Sequence, residues 1–270
     1  MPLDVVALVL LAAVLHATWN ALLKPIDARL ETFALGGVVF GVGLVVVAPF
    51  VVPAAAALPF IAASVALHFV YNLLFTRSYA VGEFNQVYPI ARGLSPLLVA
   101  LIAAVALSER PDARELTGIV VICCGLALLA GRPHVHERLA VTLAVGTGVA
   151  IAAYSAIDGI GVRHADDVLA YSVWLFMGET VVTAAYVGRR MRVALPHWRR
   201  SLLVALLALA GYGIVIWAQL RAALGGVAAL RETSVIFASL IGALAFKERF
   251  GARRVIASAI VVAGVALLSG

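Results

Sequence analysis

Runs of about twenty residues with almost no charge recur from one end of this chain to the other, and they dictate what it can become. A hydrocarbon layer about 30 Å thick takes about twenty apolar residues per helical crossing. The 270 residues are 64% hydrophobic and only 13% charged, whereas a water-soluble chain is roughly half apolar and about a quarter charged. A domain with so few charges could not cover its own surface, so the excess apolar side chains must meet lipid. Soluble enzymes, disordered chains and nucleic-acid binders are thereby excluded. The net charge of +6 does not indicate a polyanionic partner, because the basic residues sit in short clusters between apolar runs, as in the cytoplasmic loops of membrane proteins.

Cutting the sequence at its charge and Pro/Gly clusters gives ten runs: Leu3–Leu23, Thr32–Val52, Leu58–Tyr79, Phe84–Leu107, Glu115–Ala130, Leu139–Asp158, Val168–Val187, Leu202–Leu220, Val227–Phe246 and Val255–Ser269. The first run lacks a basic n-region and is expected to remain as a helix. Intervening stretches are short, so the activity must reside in helices and their ends. Cys123 and Cys124 are adjacent within one run, where they read as small core residues.

Sliding the chain against itself by 139 positions aligns Arg92–Gly131 with Arg231–Gly270 without a gap, with 15 of 40 positions identical. Arg92/Arg231, Ser95/Ser234, Glu109/Glu248, Arg110/Arg249, Arg114/Arg253, Gly125/Gly264 and Gly131/Gly270 all fall in register. Apolar composition alone would not pair arginines and glutamates in this way, and an internal duplication follows, with residues 1–133 as the first five-helix repeat and 134–270 as the second. Five is odd, so the second copy enters the membrane from the opposite face. The fold class expected is an all-α polytopic membrane protein of ten transmembrane helices in two inverted repeats, with a solute site near the midplane between them. Connections after odd-numbered runs hold 14 Lys and Arg, those after even-numbered runs 4, and the termini none. The positive-inside rule puts the odd connections in the cytoplasm and both termini outside.

Ionisable groups at membrane depth need a partner or a wet cavity. Here they are Arg92, Glu179, Arg231 and Glu232, with Glu83 and Asp158 nearer helix ends. Arg92 and Arg231 hold equivalent positions in the two repeats and could face a central space, or each could tie a helix end to carbonyls or to a glutamate. Polar residues also pair at four-residue spacing, on one helix face: His16 with Asn20, His68 with Asn72 beside Tyr71, Tyr88 with Arg92, and Tyr154 with Asp158. Such stripes line an aqueous cavity or bond packed helices together. Trp19, Trp174 and Trp217 could wall the cavity or anchor at the interface. Pro89 and Pro96 flank Arg92 and are expected to disturb the ladder of that helix, and Gly37 with Gly41 marks a close-packing face. The candidate substrate contacts are Arg92, Tyr88, His16, Trp19, Asn20, Asn72 and Arg231. Glu179 and Asp158 are candidate coupling groups, Glu179 either carrying a proton or partnering an arginine.

No phosphate-cradling loop, HExxH, CxxC pair or nucleophile elbow occurs, so an enzyme is not expected, nor a cofactor or a resident metal. His134 and His136, two apart on a polar connection, are a weak metal signal. Asp166 and Asp167 beside His164 are the one faint approach to a membrane-enzyme site.

The stretch Tyr79-Ala-Val-Gly-Glu-Phe-Asn-Gln-Val-Tyr-Pro-Ile-Ala-Arg-Gly-Leu-Ser-Pro96, the endings Leu107-Ser-Glu-Arg110 and Phe246-Lys-Glu-Arg249, Ala229-Leu-Arg-Glu-Thr-Ser234 and His16-Ala-Thr-Trp-Asn20 resemble the EamA family of the drug/metabolite transporter superfamily. The resemblance covers essentially the whole chain. It implies a secondary transporter of the inner membrane, commonly an exporter of amino acids or other small metabolites, with a central cavity between the repeats. A lipid-linked sugar flippase is the nearest alternative and would need a lateral opening to the bilayer. The partners expected are a small-molecule solute, the lipid bilayer and protons as coupling ion, with no nucleic acid, in a monomer or weak homodimer.

Overall fold

A computed structural model describes residues 1–23, 25–81, 84–130, 138–246 and 251–269, and within these the side chains other than those of residues 79, 84–89, 130, 243, 245 and 246. In a solvent without water every backbone N–H and C=O must be satisfied within the chain, which favours helices. The described residues form α1 (Leu3–Leu23), α2 (Arg29–Val47), α3 (Leu58–Val81), α4 (Phe84–Ala106), α5 (Ala113–Ala130), α6 (Arg138–Val162), α7 (Val168–Val187), α8 (Trp198–Gln219), α9 (Leu224–Arg231), α10 (Ser234–Phe246) and α11 (Ala252–Ser269). Among the described residues, seven helical stretches are long and apolar enough to cross a membrane, one of them running through both α7 and α8. Large apolar side chains such as Leu3, Phe50, Val105 and Leu244 are exposed on the outside of the bundle, as lipid requires.

Most runs match these helices to within a few residues, and α1 and α7 match theirs at both ends. Two expectations change. The ninth run, Val227–Phe246, is not one helix: it begins at Leu224 and breaks at Glu232 and Thr233. There the ladder tightens, with Thr233 donating both its N–H (3.1 Å) and its hydroxyl (2.7 Å) to the carbonyl of Leu230. Conversely, α4 runs on through Pro96. The missing N–H of Pro96 would leave the Arg92 carbonyl short of its helical partner, and the hydroxyl of Ser95 donates to that oxygen at 3.5 Å. The connection after α7 turns at Gly188, whose φ of +52° is a left-handed conformation that glycine adopts without strain.

The helices meet through small residues. A Cβ at Gly125 on α5 would stand 3.0 Å from the carbonyl oxygen of Ala257 on α11, and one at its repeat equivalent, Gly264 on α11, 2.9 Å from the carbonyl oxygen of Gly118 on α5. Gly37 and Gly41 pack against Thr180 of α7, which makes them the close-packing face expected of them. The contacts also interchange between the two copies. As α3 packs on α6, α1 packs on α8; as α4 packs on α6, α1 packs on α10; as α2 packs on α8, α3 packs on α7. Like also meets like: α2 with α7, α4 with α9 and α5 with α11.

Candidate functional site

This arrangement encloses a cavity of about 120 Å³ bounded by α1, α2, α3, α6, α7, α8 and the end of α9, room for several waters. Its wall comes from particular halves of the helices: α1 from Ala12 to Leu23, α2 from Arg29 to Gly37, α3 from His68 to Thr76 and α7 from Phe176 to Thr183. In each case that is the half nearest a connection following an odd-numbered run. The cavity therefore extends from the middle of the bundle, where Arg231 ends α9, toward one face only.

Five of the nine residues singled out in the sequence line it: His16, Trp19, Asn72, Arg231 and Glu179. The His16 ring meets Trp19 edge-on at 4.8 Å, and Trp19 in turn lies 6.1 Å from Phe33. The other four are placed differently. Asn20 is buried and turned along its own helix, donating to the His16 carbonyl at 2.8 Å. Asp158 is fully buried behind the wall, accepting from the hydroxyls of Tyr171 at 2.8 Å and Tyr212 at 2.5 Å. The Tyr88 side chain lies outside the described residues. Arg92 is buried beside the cavity without lining it: its Nε lies 2.5 Å from Glu232 Oε2, and its Nη2 donates to Ser234 Oγ at 3.2 Å. The two equivalent arginines therefore do not face the central space alike. One is tied across the repeats to a glutamate, and the other reaches the cavity.

Glu232 joins them. Its Oε1 accepts from Ser95 Oγ at 3.3 Å and stands 3.6 Å from Arg231 Nε, so one buried carboxylate serves two guanidiniums. The break after α9 gives Glu232 this position. Its counterpart in the first copy is Gly93, within unbroken α4.

A second polar group centres on His68. The Nδ1 of His68 faces the Ser64 carbonyl at 3.0 Å, to which an N–H there donates, and lies 3.2 Å from Glu179 Oε1. The His68 ring stacks on Tyr154 at 3.8 Å and meets Tyr212 edge-on at 5.3 Å. Tyr212 was not legible as a site residue, because pairing by four-residue spacing finds polar groups that share a helix, and the partner of Tyr212 is Asp158 on another. Phe33, Phe176 and Arg29 also line the cavity without a sequence signal of their own. Trp174 and Trp217 do not line it: Trp174 donates to the Val51 carbonyl at 2.9 Å, and Trp217 lies under Arg221, 4.2 Å from ring centre to guanidinium.

At the face away from the cavity, helix ends are bound together. Arg163, just past α6, pairs with Glu109 at 2.8 Å and donates to the Gln219 carbonyl at 3.0 Å, while the other oxygen of Glu109 accepts from the N–H of Leu224 at 2.9 Å. A carboxylate at the start of a helix is favoured by the unpaired N–H groups and the dipole there. Glu109 follows α4, whereas Arg163, Gln219 and Leu224 all belong to the second copy, so this contact joins the two copies at one face. His164 stacks on Phe60 at 5.1 Å, and Asp167 caps α7 through the N–H groups of Leu169 and Ala170, which gives both structural tasks. His134 and His136 lie outside the described residues.

No curated protein matches the chain. A solved structure titled only as the crystal structure of a protein is 16% identical, with a TM-score of 0.74 over 98% of this chain and 95% of the other, which supports the fold alone. The model of the EamA-like transporter family matches twice, over residues 4–131 and 138–270, so the matches fall on the two halves that the 139-residue offset relates. The chain, a helical membrane bundle built from two copies of that unit, belongs to the EamA-like transporter family.

Proposed function

We propose that the chain is a secondary transporter that exports a small polar metabolite, such as an amino acid, across the inner membrane by alternating access and without nucleotide hydrolysis. The observation that carries this reading is a mainly apolar cavity into which His16, Asn72, Glu179 and Arg231 are set, extending to one face of the bundle while the Glu109–Arg163–Leu224 contact binds the other. In this reading the bundle crosses the membrane ten times, with α9 and α10 as two halves of one crossing. Residues 1–133 and 134–270 form inverted repeats, which the interchange of helix contacts supports. The charge count puts the cavity's open end in the cytoplasm, so the structure corresponds to a carrier ready to load from inside.

His16, Trp19, Asn72 and Arg231 contact the solute in this scheme. Arg92 acts through Glu232, setting how much of the Arg231 charge the solute meets, and Asn20 holds the turn of α1 that presents His16. Glu179, against His68, is the proton-carrying group, with Asp158 as the second buried acid. The experiment is a comparison of metabolites inside and outside cells that overproduce the wild type, Arg231→Gln or Arg92→Gln. One or more solutes should accumulate outside only with the wild type. Identical profiles for the wild type and a membrane-inserted Arg231→Gln would refute the assignment of the cavity.

A further inference from the structure

No acidic residue occurs between Glu179 and Glu232, and within that stretch Arg189, Arg190, Arg192, Arg199 and Arg200 crowd into the connection from α7 to α8. From Gly188 to His197 the backbone runs in 3₁₀ turns, in which residues three apart stack on one edge. Met191 and Ala194 form the inward edge: Ala194 is fully buried, and Met191 packs on Leu30 and Ala34 of α2 and Val187 of α7. Arg189, Arg192 and Leu195 then share one outward edge, and Arg190 and Val193 the other. Arg190 also leans toward α2, its Nε 3.9 Å from Glu31 Oε1. Leu30 lines the cavity, so the turns are seated on the rim of its open end.

Orientation during insertion needs only the positive charge of a connection. It does not need large apolar side chains beside the charges, yet Val193, Leu195 and Trp198 are each half or more exposed. Arginines and apolar side chains on one outward surface match the boundary between headgroups and acyl chains, where each kind finds its own layer. Arg199 lies 5.4 Å from the Trp198 ring centre. Arg189, Arg192 and Arg200 are exposed and have no acidic partner among the described residues. Guanidiniums meet phosphate oxygens through paired N–H···O bonds, and basic clusters next to membrane-spanning helices attract anionic lipids.

We infer that the connection from Gly188 to Arg200 is a binding site for anionic phospholipids of the adjoining leaflet, with their phosphates on Arg189, Arg192 and Arg200 and their upper acyl carbons against Leu195 and Trp198. Binding here is independent of transport and is read with no solute present.

The test reconstitutes the purified full chain in vesicles of equal parts phosphatidylcholine and phosphatidylglycerol, prepared in two sets that differ only in which lipid carries brominated acyl chains. Bromine quenches a tryptophan at close range, and the emission belonging to Trp198 is the difference between wild type and Trp198→Phe. Quenching of Trp198 should report a local excess of phosphatidylglycerol of at least threefold. Combining Arg189→Gln, Arg192→Gln and Arg200→Gln should bring the two lipids close to parity. Inorganic phosphate at a few millimolar, with ionic strength held constant, should leave the wild-type excess in place. Equal quenching by the two lipids in the wild type, or an excess that survives the triple substitution, would overturn the inference. Loss of the excess to inorganic phosphate would also overturn it, by assigning the arginines to a soluble anion. The wild-type comparison decides the matter even where the triple variant fails to assemble.

Discussion

Glu232 shows how much one buried side chain can carry. It stands between Arg92 and Arg231 with no exposed surface, so Glu232→Gln takes from both guanidiniums the carboxylate they share. Removing one partner of a buried ion pair costs about 3–5 kcal/mol, and this variant should lose a large part of its thermal stability in detergent, read by a melting curve of the purified protein. Arg92→Gln should be milder for stability, because Glu232 then keeps Arg231 as its partner. Because Arg92 acts on the cavity through Glu232 in the proposed scheme, Arg92→Gln should insert normally and yet lose most transport. Glu179→Gln tests coupling separately: transport measured across a pH series should lose the pH dependence seen in the wild type. An unchanged profile would remove the carboxylate at position 179 as the proton carrier.

At the scale of helices, close packing is the property most exposed to mutation. Gly125→Leu or Gly264→Leu would drive a branched side chain into the backbone of the facing helix, where even a Cβ would stand about 3 Å from a carbonyl oxygen. Overpacking typically costs about 1–3 kcal/mol, and a contact without room to relax will lie at the upper end. Both variants should show reduced yield and lowered melting temperature, and because the two glycines are repeat equivalents on the same pair of helices, their effects should be similar in size. Helix extents were largely legible in the sequence, since length and the absence of charge are local properties that lipid enforces. The break after α9 was not. It depends on Glu232 reaching Arg92 and Ser95, which lie about 140 positions earlier, and no window of local sequence contains that contact. Continuity through Pro96 was hidden for a similar reason, because the proline was visible but the Ser95 hydroxyl's turn toward the Arg92 carbonyl was not. Of the candidate site residues that reach the cavity, His16 and Asn72 could be found in polar stripes, Arg231 and Glu179 as ionisable groups within apolar runs, and Trp19 as a tryptophan beside His16. Whether a polar stripe faced the cavity, like His16, or the helix interior, like Asn20, depended on rotation about the helix axis relative to neighbours.

At the scale of the whole molecule, the cavity is reached from one face and the Glu109–Arg163 contact binds the other. Glu109→Gln should weaken that contact and raise the share of molecules open on the opposite side. In a background with Cys123 and Cys124 replaced, a cysteine at Thr183 in the cavity wall reports this through labelling by an impermeant maleimide applied to right-side-out or inside-out vesicles. Labelling should favour the cytoplasmic side in the parent and move toward the outside in the Glu109→Gln variant; an unchanged ratio would deprive that ion pair of any gating role.

The bond from Arg92 to Glu232 also limits how the two halves can move. It joins α4 to the break after α9, and α4 and α9 hold equivalent places in the two copies, so they meet where a two-fold relation maps like onto like. When two bodies tilt against each other, only material near the line of rotation keeps its distances. A tight ionic link placed there can serve as a fulcrum, persisting through the cycle while contacts farther out, such as Glu109 with Arg163, are made and released.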